Sequence, residues 1–124
     1  MPARNPEEIH ALVAAALSEG DADAFAALHE PTATIVVPPG GRRASGLDAI
    51  RAAIEPVLAL RPVVRIEVVD KVQTDGLALT HGQWTLTGSG GDGELIEMSG
   101  RGTMVSRRQP DGSWRIVLDN PLSH

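Results

Sequence analysis

The chain has 124 residues, 42% apolar and 22% charged, which suits one soluble globular domain spanning 1–124. Its net charge of −5, with no basic run, argues against nucleic acid and against anionic membrane surfaces as partners. There is no cysteine and no tyrosine, which excludes disulfides, thiolate metal sites, cysteine nucleophiles and any chemistry that needs a phenol.

The first predicted element is a helix over 6–19. Asn5 can cap it, Pro6 suits its first turn, and Glu7 and Glu8 complement the positive end of the dipole. Ile9, Leu12, Val13, Ala16 and Leu17 share one face, and Gly20 suits the left-handed exit. On this reading His10 lies on the solvent side. Asp21 or Asp23 then caps a short helix carrying Phe25 and Leu28, with Pro31 as its stop.

The stretch TATIVVPPGG, 32–41, reads as a β-branched strand running into a sharp turn. Strand ends beside loops commonly carry catalytic groups, yet no carboxylate, histidine or hydroxyl stands at this one. GRRASG follows as a polar loop. A third helix runs from about Leu47 to Ala59 on Ile50, Ile54, Val57 and Leu58, with Pro56 expected to kink or divide it.

Beyond Pro62 the period becomes two. Four strands are expected, roughly 63–74, 77–87, 94–107 and 113–119. Asp75-Gly76, GSGGDG and QPDG are short hairpin connections, so neighbours are antiparallel. The class is therefore α+β, with N-terminal helices on one face of one sheet. Glycines at 82, 88, 90, 91, 93, 100 and 102 suggest strongly bent strands. The N-terminus carries no apolar targeting segment, and no window is long and apolar enough to span a membrane. A cytoplasmic address is the default expectation.

Three stretches, EGDADAFAALHEPTATIVVPPG, GLDAIRAAI and RRQPDGSWRIVLDNP, give nearly the whole chain a resemblance to the NTF2-like superfamily. The similarity is to its SnoaL-like and ketosteroid-isomerase-like branch. The resemblance implies a cone of helices on a strongly curved, mostly antiparallel sheet, a pocket inside the cone, and homodimers. Members include isomerases, polyketide cyclases and hydratases, so fold alone does not name a reaction. The resemblance places the isomerases' base aspartate on Val37, their tyrosine near Val13 and their proton-donating aspartic acid near Met104. All three are apolar here, so steroid isomerisation by that triad is not expected.

Two groups remain for chemistry. Asp119 ends the apolar strand WRIVLD; strict alternation puts it with Val117 on the inner face, where an apolar bowl would raise its pKa. The alternative is a strand-end aspartate bonding turn amides. His81 is the proposed partner. If Leu79 faces inward, so do His81 and Gln83, and Trp84 and Leu86 form an outer apolar patch for a dimer. If the parity is reversed, Trp84 fills the core and His81 and Gln83 lie outside. His29 either points into the bowl or sits at a helix C-terminus where histidine is favoured. The expected pocket set is thus Asp119 and His81 with Val13, Leu17, His29, Val37, Gln83, Met104 and Val117. Four isolated histidines without metal-ligand spacing argue against a metal, and no cofactor is expected. Arg42 and Arg43 read as a solvated pair that could greet an acidic ligand. The expected ligand is a small apolar molecule. The protein is then either a non-catalytic binder or an acid–base enzyme, isomerase, cyclase or hydratase, acting on a small carbonyl compound through Asp119 and His81.

Overall fold

The computed structural model describes residues 2–38 and 40–122. Helix α1 (Pro6–Glu19) starts where Asn5 accepts a hydrogen bond from the Glu8 amide and ends at Gly20, with φ 71°. Helix α2 (Ala22–Ala27) is capped by Asp21. It ends earlier than Pro31 would dictate, because the His29 ring binds the Phe25 carbonyl through Nδ1 (2.9 Å) and the chain passes straight into β1 (His29–Val37). Pro31 therefore sits inside a strand. It falls between the His29 and Thr34 pairings, where the ladder shifts register and a missing N–H costs least.

The expected loop GRRASG is mostly strand. β2 (Arg42–Ser45) pairs antiparallel with β1, Val37 opposite Arg42 and Ile35 opposite Ala44. It satisfies the edge that β1 would otherwise leave open. Helix α3 (Leu47–Leu58) runs unbroken through Pro56, which lies so near the C-terminus that little helix remains to be disrupted.

Strands β3 (Val63–Thr74), β4 (Leu77–Ser89), β5 (Leu95–Arg108) and β6 (Trp114–Asn120) follow as an antiparallel meander. The six-stranded order is β2-β1-β6-β5-β4-β3, and only the β1–β6 pair is parallel. All three helices pack on one face, which the sheet curls around. Register shifts at Val69 in β3 and Val117 in β6 add local twist and, more consequentially, change which residues face inward.

The inner face of β4 carries Ala78, Thr80, Gly82, Trp84 and Leu86. Trp84 and Leu86 thus face the helices, and the expected outer patch built on them does not exist. The two large apolar side chains outweigh Leu79 in deciding which face is buried. Among the described residues no helix is long and apolar enough to cross a membrane.

Candidate functional site

The floor of the bowl is a row of residues in register across four strands. Thr80 of β4 stands opposite Met104 of β5, Met104 opposite Asp119 of β6, and Asp119 beside Ile35 of β1. One step along, Gly82 opposes Gly102, so two side chains are missing and the floor drops. The indole of Trp84 lies over Gly100, where a Cβ would come within 3.0 Å of the ring, and its Nε1–H donates to the Pro121 carbonyl (2.7 Å). Helix α1 roofs the space with His10, Val13 and Leu17. The cavity measures about 90 Å³ and is apolar apart from two ionisable side chains, His10 and Asp119.

Asp119 faces inward for a reason other than simple alternation. The shift at Val117 lets both Ile116, fully buried, and Asp119 point inward, while Leu118 is 50% exposed. Val117 itself does not line the bowl, and its place in the expected pocket set is withdrawn. The Asp119 carboxyl has no hydrogen-bond partner among the described residues. Half-buried in apolar surroundings and without a partner, it has its pKa pushed up from 3.8 to about 7, because the charged form loses water and gains nothing in return.

His10 was expected in solvent and is instead buried in the roof. Its Nε2 lies 2.7 Å from Thr80 Oγ1. The threonine hydroxyl donates to the Met104 carbonyl (3.4 Å), so it accepts from His10 Nε2–H. That assignment leaves Nδ1 unprotonated, near the gap over Gly82, where a Cβ would approach it to 3.3 Å. Burial lowers the His10 pKa from 6.5 to about 4, with the Glu7 charge opposing the shift. The signal that could have found it is the spacing of His10, Val13 and Leu17, positions i, i+3 and i+7 on one helical row.

The structure places Val13, Leu17, Val37 and Met104 on the cavity wall. It does not bring His81, Gln83 or His29 there. His81 and Gln83 share the outer parity of β4, and His81 Nδ1 lies 3.2 Å from Thr103 Oγ1. A pairing of His81 with Asp119 is therefore ruled out by the sheet between them. His29 is fully buried beside Phe25, ring centroids 4.8 Å apart, outside the cavity lining. Burial takes its pKa down to about 4 despite the carbonyls of Phe25 and Ala26. His124 lies outside the described residues, as does Pro39 of the opening stretch. Among the described residues no three His, Asp or Glu side chains gather into a metal-binding group.

A family model described as a SnoaL-like domain matches residues 9–117. None of the curated proteins matches the chain. Solved structures share the fold at low identity. A ketosteroid isomerase-like protein from Erwinia carotovora atroseptica is 18% identical over 95% of this chain and 94% of its own, with a TM-score of 0.80. A nuclear transport factor 2-like superfamily protein from Salmonella enterica is 16% identical over 95% and 89%, with a TM-score of 0.81. An NTF2-like protein with a cystatin-like fold from Novosphingobium aromaticivorans is 21% identical over 92% and 76%, at 0.78.

Proposed function

The chain belongs to the family of SnoaL-like domains, and on that premise we propose that it binds one small, mostly apolar molecule carrying a carbonyl oxygen. The observation that carries this reading is the Asp119 carboxyl, unpartnered in an apolar bowl. With a pKa of about 7 it keeps a proton on a large fraction of molecules at neutrality, and a protonated carboxyl donates a hydrogen bond to a carbonyl. The cavity of about 90 Å³ limits the occupant. It is smaller than the roughly 150 Å³ apolar cavity that takes up benzene, but it is open at its mouth, so a short chain, or a single ring standing partly in the mouth, is the natural size.

Cyclohexanone is a suitable probe. Amide NMR shifts on titration should centre on Gly82, Gly102 and Asp119, and Asp119→Ala should weaken binding about tenfold, the effect of losing one good hydrogen bond. Methylcyclohexane, which has nothing to accept, should bind both proteins alike. Shifts located elsewhere, or cyclohexanone binding indifferent to the substitution, would remove the reading.

A second reading is an acid–base enzyme of the isomerase, cyclase or hydratase kind. It is favoured by one observation: Asp119 and His10 face one bowl with pKa values displaced in opposite directions. Here His10, through Nδ1, takes the part first expected of His81. Asp119 polarises the carbonyl while the imidazole accepts a proton from the neighbouring carbon. The test is exchange of the α-hydrogens of cyclohexanone in deuterium oxide. Exchange above buffer that falls in both Asp119→Asn and His10→Gln supports catalysis; exchange at the buffer rate leaves a binder.

A further inference from the structure

A second cavity, of about 330 Å³, adjoins the bowl and shares Val37, Pro38 and Val57 with it. Leu60, Met98 and Pro56 make this groove apolar, and Arg42 is its one charged wall. Arg42 stands directly opposite Val37 in the β1–β2 ladder, and opposed residues of an antiparallel pair project to the same face. It therefore leans toward the groove and α3. Arg43, opposite Val36, leans to the outer face. Arg51, Arg107 and Arg108 each meet a carboxylate; the Arg42 guanidinium, like those of Arg43, Arg65 and Arg101, has no ionic partner among the described residues, and of these arginines it alone lines the groove. Charged residues commonly guard an edge strand, and that accounts for Arg43. It does not account for a cation on the wall of an apolar groove that adjoins the bowl, in a chain of net charge −5.

The geometry points to a ligand with a carboxylate tail, its apolar body in the bowl and its anionic end on Arg42. This inference rests on the reading of the bowl as a ligand site. The span is set by the sheet. Asp119 pairs with Ile35, two residues short of Val37, and Arg42 lies one strand further out. The two backbones are thus separated by about 7 Å along the strands and about 10 Å across them. Both side chains reach into that gap, and a linker of about three carbons covers the remainder. A guanidinium binds a carboxylate through two parallel N–H groups, which a lysine could not match.

The test uses the full chain with 4-phenylbutyrate and its uncharged counterpart 4-phenylbutanol, measured by calorimetry, with cyclohexanone as a probe of the bowl alone. The acid should bind about tenfold more tightly than the alcohol at low ionic strength, and the advantage should shrink in high salt. Arg42→Gln should erase the advantage and leave cyclohexanone and the alcohol unchanged. Arg43→Gln should change none of the three. If cyclohexanone binds but acid and alcohol bind equally, or if Arg42→Gln leaves the difference intact, the tail assignment is overturned and the bowl stands. If none of the three binds, the reading of the bowl falls and takes this inference with it.

Discussion

His10 Nε2 and Thr80 Oγ1 stand 2.7 Å apart, both buried, and join the roof helix to the floor strand. The bond ties one specific parity of β4 to one specific face of α1. A slip of β4 by one residue would present Leu79 or His81 to the imidazole instead. Thr80→Val keeps the shape and removes the acceptor. Denaturant unfolding should show a loss of about 1–3 kcal/mol, the cost of a buried donor left unpaired. A midpoint within error of the original would mean that the pair contributes nothing to stability.

The same burial makes stability depend on pH in two opposing ways. Asp119 rises from 3.8 to about 7, so between those values the folded chain holds a proton that the unfolded chain has lost, and stability falls as pH rises. His10 and His29 fall from 6.5 to about 4, so across that interval the unfolded chain holds protons the folded one lacks, and stability rises with pH. Each group contributes a slope of roughly 1.4 kcal/mol per pH unit within its window. Two histidines against one aspartate give a net rise up to about pH 6.5, then a decline that ends near 7, where folded Asp119 at last ionises. Asp119→Asn should steepen the rise and abolish the decline. Superimposable profiles for the two proteins would show that Asp119 ionises normally.

The order of elements, β2 excepted, was legible because each of the others rests on local chemistry. Asn5, Gly20 and Asp21 mark helix ends with groups that bond the backbone, and Asp75-Gly76 marks a turn. The site was harder to read because its facing is a long-range property. Val117 interrupts a strict two-residue alternation, so Asp119 reached the bowl by a route that alternation alone misdescribes. Polar residues at 81 and 83 suggested a polar pocket patch, whereas burying Trp84 and Leu86 decided the face. His10 was overlooked because a histidine beside an apolar stripe looks solvated until its threonine partner, seventy residues away in the chain, is in place.

A homodimer through the outer sheet face, as first expected, would have to use residues other than Trp84 and Leu86. Val72, Leu79, Val105 and Leu118 lie in register across β3 to β6, with Val72 63% and Leu118 50% exposed. Arg107 and Arg115 border this stripe on one side and His81 on the other. We propose that two copies bury it against each other, because an apolar stripe of this length is unfavourable in water. Light scattering should give a dimer mass at micromolar concentration, and Leu118→Glu should give a monomer. A monomeric parent protein would dismiss the contact, and a dimer that survives Leu118→Glu would place it elsewhere.

The bowl should not isomerise a β,γ-unsaturated ketosteroid. The resemblance assigns the base, the phenol and the acid to Val37, Val13 and Met104, and all three line the cavity as apolar side chains. Removing one preorganised donor commonly costs about 10²–10³ in turnover, and here both donors and the base are missing from those positions. Asp119 supplies a carboxyl, but from the floor beside Ile35 rather than from the rim at Val37. Space argues the same way. A cavity of about 90 Å³ is well below the roughly 150 Å³ that accommodates benzene, so four fused rings would have to displace Trp84 or the roof helix. The expected rate for purified protein equals that of buffer, monitored by the absorbance of the conjugated product. Turnover that persists through further purification and disappears in Asp119→Asn would show that Asp119 serves as the base from the floor.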